Sequence, residues 1–302
     1  MSDNNNFEVI IIGGSYAGLS AAMCLGRALR NVLIIDSGSP CNKQTPRSHN
    51  FLTQDGKTPQ EIETLAKEQV SQYKTLKFYD GLAVSGIKTV KGFEIKTQTN
   101  DLFYSKKLII ATGRKDIMPD INGFAECWGI SVIHCPYCHG YEVRNEKTGI
   151  LGNGDYGFEF SRLVNNWTKD LTLYTNGRSM LTAEQTEKLK KHNISIVEKE
   201  VYYFEHINGQ IQSIIFKDNS KTSITTIYTK PKFTQHSDIA VQLGCELTDQ
   251  ALIKVDISQK TTINGIFACG DNSNSSRDIA LAVSAGMTTG GTCNKELIQQ
   301  EF

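Results

Sequence analysis

The feature that most restricts this chain is a pattern it uses twice: an apolar run, a glycine-rich turn, a helical stretch and a second apolar run. Val9-Ile10-Ile11-Ile12 leads directly into Gly13-Gly14-Ser15-Tyr16-Ala17-Gly18. A stretch with helical character follows from Leu19 to Leu29, then Asn31-Val32-Leu33-Ile34-Ile35-Asp36. Unbroken apolar residues suit a parallel strand buried on both faces. A glycine turn lets backbone approach a pyrophosphate, the helix N-terminus favours its charge, and an acid after the second strand suits a ribose hydroxyl. The order predicts a dinucleotide-binding βαβ unit with Asp36 on the ribose.

The plan recurs about 140 residues later. Thr148 to Leu151 reads as a strand, Gly152-Asn153-Gly154-Asp155-Tyr156-Gly157 as a complete G-x-G-x-x-G, Phe158 to Trp167 as a helix and Leu171 to Tyr174 as a strand. Each turn departs from an ideal pattern. Ser15 occupies the second glycine position of the first turn. After the second unit, Thr175-Asn176-Gly177-Arg178 offers neither the acid that suits NAD nor an arginine cluster for an NADP phosphate. Arg178 is either a phosphate partner or a solvated residue.

Ile109-Ile110-Ala111-Thr112-Gly113 closes another apolar segment, and Gly265 to Asp271 is a buried-strand pattern ending in Gly270-Asp271. A helical pattern runs from Asp278 to Thr289, and Lys230-Pro231-Lys232 reads as a boundary. The expected fold is α/β, with two Rossmann-like nucleotide-binding domains, the second inserted in the first. Residues 1–115 and 233–302 form one, and residues 116–232 form the other.

A length of 302 residues suits about two domains. Lys+Arg and Asp+Glu both number 32, and no basic run argues for nucleic acid. The N-terminus lacks the charged and apolar regions of a signal peptide. No apolar run approaches the roughly 18 residues of a membrane span. A soluble, cytoplasmic protein is expected.

Of the eight cysteines, only Cys135 and Cys138 share a close spacing. The other six are expected to be small buried hydrophobes. Cys135-Pro136-Tyr137-Cys138 is a C-x-x-C redox motif flanked by His134 and His139. A zinc site would need a second such pair, which the sequence lacks, so no metal is expected. A separate thioredoxin-type domain has no room, since a nucleotide turn begins about fourteen residues later. An adjacent histidine can take a thiol proton, so His139 is a candidate acid/base. Whether Tyr137 and Tyr141 meet substrate or pack inside stays open.

Together these motifs resemble the low-molecular-weight thioredoxin reductases across essentially the whole chain. The signature Cys135-x-x-Cys138-His139-Gly140-Tyr141-Glu142, with His49-Asn50-Phe51-Leu52 and Asp55-Gly56 upstream, resembles a branch that includes gliotoxin and holomycin dithiol oxidases. The resemblance implies FAD in the first domain. Gly13, Gly14, Ser15, Ala17 and Gly18 would lie at the pyrophosphate, Asp36 and Ser37 at the adenosine ribose, and Asn50 near the flavin. Val84, Ala111, Thr112, Gly113 and Gly270 would line the cofactor, Asp271 would meet the ribityl chain, and Arg277, Asp278 and Ile279 the isoalloxazine. NADPH or NADH would bind the inserted domain through Gly152, Gly154, Asp155, Tyr156 and Gly157, with Asn176 and Arg178 nearby.

The implied reaction passes electrons from NAD(P)H through FAD and Cys135–Cys138 to an external disulfide, on a thioredoxin-like protein or a small molecule. Cys138 would face the flavin, Cys135 would attack substrate and His139 would move the proton. The resemblance further implies a homodimer. His139 stands where bacterial thioredoxin reductases carry an aspartate, which leaves the disulfide partner open, and the missing arginine cluster at Thr175-Asn176-Gly177-Arg178 opens two alternatives: a dithiol oxidase using oxygen, or a reductase fed by another carrier such as ferredoxin. A flavin-bound redox sensor without turnover is a third reading.

Overall fold

The structure, a computed structural model, describes residues 5–302. In chain order the first elements are β1 (Asn6–Ile12), α1 (Tyr16–Arg27), β2 (Val32–Asp36), α2 (Pro59–Ser71), β3 (Leu76–Asp80), β4 (Ala83–Thr89), β5 (Gly92–Thr97), β6 (Leu102–Ile110) and β7 (Arg114–Ile117). Next come α3 (Phe124–Cys127), β8 (Val132–Ile133), α4 (Pro136–His139), β9 (Thr148–Leu151), α5 (Gly154–Val164), β10 (Leu171–Tyr174), α6 (Ala183–Lys191) and β11 (Ser195–Val197). The remainder is β12 (Val201–Ile207), β13 (Gln210–Phe216), β14 (Lys221–Ser223), β15 (Thr226–Tyr228), β16 (Lys232–Gln235), α7 (Ile239–Gln242), β17 (Ile266–Ala268) and α8 (Ile279–Glu301).

The chain divides into two compact units. One comprises residues 1–43, 60–115 and 233–302; the other comprises residues 44–59 and 116–232. In the first unit a seven-stranded sheet runs β3-β2-β1-β6-β5-β4, with β17 also paired to β6. β1, β2, β3, β6 and β17 pair in parallel, and β4 and β5 pair antiparallel at the far edge. Val9, Ile10, Ile11, Ile34, Ile109 and Ile110 have no exposed surface, which accounts for the unbroken apolar runs. The register pairs Ile12 with both Ile35 and Ile110, and Ile110 with Ala268. The turns that follow these strands therefore emerge together at the carboxyl end of the sheet.

Glycines set how closely α1 is held. A Cβ on Gly18 would lie 1.8 Å from the Gly13 carbonyl oxygen, and one on Gly286 of α8 would lie 2.1 Å from the Ala17 carbonyl oxygen. Neither space exists, so α1 packs backbone-close to its turn and to α8.

The second unit holds a five-stranded parallel sheet, β11-β10-β9-β15-β8, and an antiparallel sheet, β12-β13-β14. Segment 44–59 packs with this unit although chain of the first unit precedes and follows it. Gln44 Nε2 donates to the Ala125 carbonyl at 3.2 Å. Among the described residues no helix is long and apolar enough to cross a membrane. The expectation for the six lone cysteines needs one correction: Cys127, Cys245, Cys269 and Cys293 are buried and Cys24 is half-buried, but Cys41 is exposed. Cys41 lies in the turn region after β2, and its sulfur donates to the Arg114 carbonyl.

Two substitutions separate close packing from helix propensity. Gly18→Ala forces the turn apart, and overpacking typically costs about 1–3 kcal/mol. Gly291→Ala, in α8 with open space around it, gains helix propensity of about 0.5–1 kcal/mol. Thermal melting of the two variants should move in opposite directions, with the Gly18 variant several degrees lower.

Candidate functional site

The first cradle forms where β1, β2, β6 and β17 end. The Gly13 N–H donates to Ile35 O at 2.8 Å, Ala111 N–H to Ile12 O at 2.8 Å and Cys269 N–H to Ile110 O at 3.1 Å. These bonds hold three turns side by side. Gly13 has φ +107°, and a Cβ there would lie 2.3 Å from the Ala111 carbonyl oxygen. A Cβ on Gly14 would lie 2.8 Å from the Asp36 side chain, so that carboxylate stands beside the turn. Lys67 Nζ approaches Asp36 Oδ2 at 3.4 Å.

Ser15 begins α1 in extended conformation and makes no side-chain cap, which leaves the first helical amides open to a ligand. Thr112 Oγ1 is buried without a hydrogen-bond partner. Gly270, with φ +86°, brings its turn within 3.0 Å of the Ala17 Cβ by the same measure. Open amides, an orphaned hydroxyl and a carboxylate beside a glycine turn fit the phosphates and hydroxyls of an adenine dinucleotide. Ser37 and Val84 are exposed, and Gly113 has φ +65°.

Asp271 pairs with Arg277 at 3.4 Å. Asp278 caps α8, accepting from Ala280 N at 2.8 Å and Leu281 N at 3.2 Å. The two amides so taken belong to Ala280 and Leu281, next to the expected cofactor residues Arg277, Asp278 and Ile279. Asn50 belongs to segment 44–59 of the second unit, where its N–H donates to Asp55 Oδ1 at 2.8 Å.

The second cradle is held by Asn153. Its Oδ1 accepts from Gly154 N and Met180 N, both at 2.8 Å; its Nδ2 donates to Arg178 O at 2.9 Å and Thr175 O at 3.2 Å. One side chain therefore caps α5 and ties the loop after β10 to the glycine turn. The ring of Tyr156 lies against Gly152, where a Cβ would meet it at 2.6 Å. The Tyr156 hydroxyl is buried without a partner, and burial pushes its pKa up. Asp155 accepts from Gln185 at 2.7 Å, Asn176 Oδ1 accepts from Val201 N at 2.7 Å, and the Arg178 side chain is exposed.

The dithiol follows the buried strand β8. Cys135 and Cys138 are joined as a disulfide with their Cα atoms 5.3 Å apart. Cys135 starts the single turn α4, Pro136 occupies its first position, and the Cys138 N–H points at Cys135 Sγ at 3.1 Å. An N–H aimed at that sulfur favours negative charge on it. Gly140 caps the turn, and only glycine fits there, since a Cβ would lie 2.4 Å from Pro136 O and 2.8 Å from the Trp167 ring. Tyr137 and Tyr141 are 64% and 69% exposed, so neither is core packing. The Tyr137 ring meets the Trp167 ring edge-on at 5.4 Å, and both line a cavity of about 650 Å³ with Phe160 and Leu163.

His134 and His139 face different surroundings. His134 packs beside Trp128, ring centres 5.8 Å apart. The half-buried His139 has its pKa lowered by burial and then by the charge of His49, with Glu142 pulling the other way. His49 in turn lies between carboxylates: its Nδ1 is 3.6 Å from Asp55 Oδ2 and its Nε2 is 3.6 Å from Glu142 Oε1.

Residues 7–288 match the profile described as pyridine nucleotide-disulphide oxidoreductase. The chain belongs to this family. Its fold is that of thioredoxin reductases, and it is an oxidoreductase of their kind. It is 30% identical over 309 residues to a thioredoxin reductase of Claviceps purpurea, covering 99% of this chain and 96% of the relative. An oxidoreductase structure from Agrobacterium tumefaciens superposes with a TM-score of 0.92 at 33% identity, covering 97% of this chain and 99% of that one. The TrxB structure of Bacillus anthracis gives 0.93 at 27% identity, covering 98% and 100%.

Within this family member, sequence reasoning gave no role to Asn153, His49 or Glu142. Asn153 falls on an unspecified position of the glycine motif, and only the hydrogen bonds reveal it. His49 and Glu142 stood in the stretches that carried the resemblance, but ninety residues of chain hid their meeting.

Asn153→Ala removes the α5 cap and all three tethers to the loop after β10. A lost cap costs about 0.5–2 kcal/mol. Amide hydrogen exchange at Met180 should speed by at least tenfold while the amides of β9 stay protected; unchanged exchange would show that the tether is inert.

Proposed function

We propose that this chain is an FAD-dependent, thioredoxin-reductase-like disulfide oxidoreductase that passes electrons from NAD(P)H through FAD and the Cys135–Cys138 pair to an external disulfide. The observation that carries the reading is the Cys135–Cys138 disulfide on one turn of helix, with the half-buried His139 as the next residue. FAD, when bound, supplies the exchange between two-electron nucleotide chemistry and sulfur chemistry. Asp36, the open start of α1 and Thr112 would hold it. NAD(P)H would lie at Gly152, Gly154 and Gly157.

The sulfur chemistry is ordinary exchange. In the reductive direction the Cys135 thiolate attacks one sulfur of the substrate disulfide. That bond breaks, and the leaving sulfur takes the electron pair and a proton from His139. The Cys138 thiolate then attacks Cys135 Sγ, which expels the second substrate sulfur as a thiolate, protonated by solvent, and closes the Cys135–Cys138 bond again.

A second reading runs the couple the other way: a small dithiol reduces the cysteine pair and oxygen is the final acceptor. What favours it is the surroundings of His139. Burial and His49 keep its imidazole neutral around pH 7, the form that accepts a proton from an incoming thiol.

Anaerobic mixing with NADPH, NADH or a small dithiol separates the two. Bleaching of the flavin band by a nucleotide supports the reductase; bleaching by the dithiol alone sinks the NAD(P)H-dependent reading. Cys135→Ser should lower disulfide or dithiol turnover by at least ~10³-fold in either direction while leaving flavin bound. For His139 as base, the acid limb of kcat/KM should inflect below the ordinary imidazole value of about 6.5 and vanish in His139→Gln. The sign follows from the depressed pKa: the neutral base persists to lower pH and is lost as pH falls through it.

A further inference from the structure

We propose that the Met180 side chain is a lid over the second glycine turn and sets how readily that turn takes a dinucleotide. This rests on reading the turn as the NAD(P)H site, and it names the residue that controls entry to it.

The two glycine turns of the chain are built differently. At the start of α1 the Ser15 side chain makes no cap, so the first helical amides are open. At the start of α5 the Gly154 N–H is already bound by Asn153 Oδ1 at 2.8 Å. The middle glycine of such a motif lets backbone and pyrophosphate meet where a Cβ would otherwise stand. Gly154 is that glycine, with φ +54°. Leaving its chain neighbours aside, the three atoms nearest to the place of its missing Cβ all belong to Met180: Cε at 3.7 Å, Cβ at 3.8 Å and the carbonyl oxygen at 3.9 Å. The open face of Gly154 therefore looks onto Met180. A pyrophosphate that reaches Gly154 by this face must displace the side chain.

The loop that carries Met180 is fixed, while the side chain is free. Asn153 holds the loop from the turn itself, through Met180 N, Arg178 O and Thr175 O at 2.8, 2.9 and 3.2 Å. The Gly177 N–H donates to Glu198 O at 3.1 Å, and Thr175 Oγ1 donates to Gly177 O at 2.6 Å. Met180 itself is 70% exposed. An unbranched methionine side chain turns about three bonds and adapts to what lies beside it. Opening is a rotamer change of one exposed side chain, with the loop and its hydrogen bonds left in place. The face of Gly152 is covered as well, by the Tyr156 ring, but that ring stacks on Phe160 at 5.3 Å and its hydroxyl is buried. The cradle thus has a packed wall in Tyr156 and a movable one in Met180.

A ligand that needs the open form binds with an affinity reduced by the fraction of molecules that are open. The lid makes the second cradle a weaker dinucleotide site than its glycine motif alone provides. The thioether carries no charge, so the effect is the same for a ligand with or without a 2′-phosphate. That separates it from any contribution of Arg178, which favours the phosphate.

Calorimetric titration of the flavin-loaded protein with NAD+ and NADP+, which bind without giving a hydride, measures the effect. Met180→Ala is expected to tighten both by about fivefold or more and by the same factor, and Met180→Phe to weaken both. Flavin content and melting temperature report that the fold is kept. Equal or weaker binding in Met180→Ala overturns the proposal, and weaker binding makes the side chain a nucleotide contact instead of a lid. Absence of binding in every variant overturns it too. Anaerobic bleaching judges the electron route separately. If Met180→Ala binds more tightly but neither NADPH nor NADH bleaches the flavin, the route fails and the lid stands. If NADPH or NADH bleaches the wild type and Met180→Ala binds no better, the lid fails and the route stands.

Discussion

The first unit depends on one steric constraint: backbone must meet backbone where β1 turns into α1. Gly13 and Gly18 have no room for a Cβ, and the helix that follows is pressed against its own turn. That closeness points the open amides of α1 at the same space that Ala111, Thr112 and Gly270 reach from neighbouring strands. A side chain at either glycine would displace the helix and, with it, the whole carboxyl edge of the sheet. Parallel strands make this possible, since their turns emerge on one edge.

The dithiol needs a different kind of control. A disulfide on a single turn of helix is held by few bonds: Pro136 at the start, the Cys138 N–H to Cys135 Sγ and the Gly140 stop against Trp167. His139 follows directly on the second cysteine, and its burial favours the neutral imidazole. Beside this turn, Tyr137 and Trp167 line a cavity together with Phe160, Leu163 and the polar Glu159, Arg162 and Asn166.

Much of the architecture was legible because burial on both sheet faces leaves an unbroken apolar run, as in Val9 to Ile12, which meets Gly13 at once, and Ile109 to Ala111, which reaches Gly113 after Thr112. What escaped notice depended on contacts between distant residues. Asn153 occupies a position that the glycine motif leaves free, yet it makes four hydrogen bonds. His49 meets Glu142 only because segment 44–59 leaves the unit that surrounds it in sequence, and no local pattern encodes that choice. Cys41 was expected to be buried on composition grounds, but its place in the exposed turn region after β2 overrides the general habit of cysteine.

If Cys135–Cys138 and a bound flavin form one electron reservoir, an anaerobic dithionite titration of the holoprotein counts it: the wild type takes up four electrons per flavin before bleaching is complete, two on the disulfide and two on the flavin, whereas Cys135→Ser takes up two. A wild type that bleaches fully with two electrons, its disulfide still intact by thiol labelling, would contradict it.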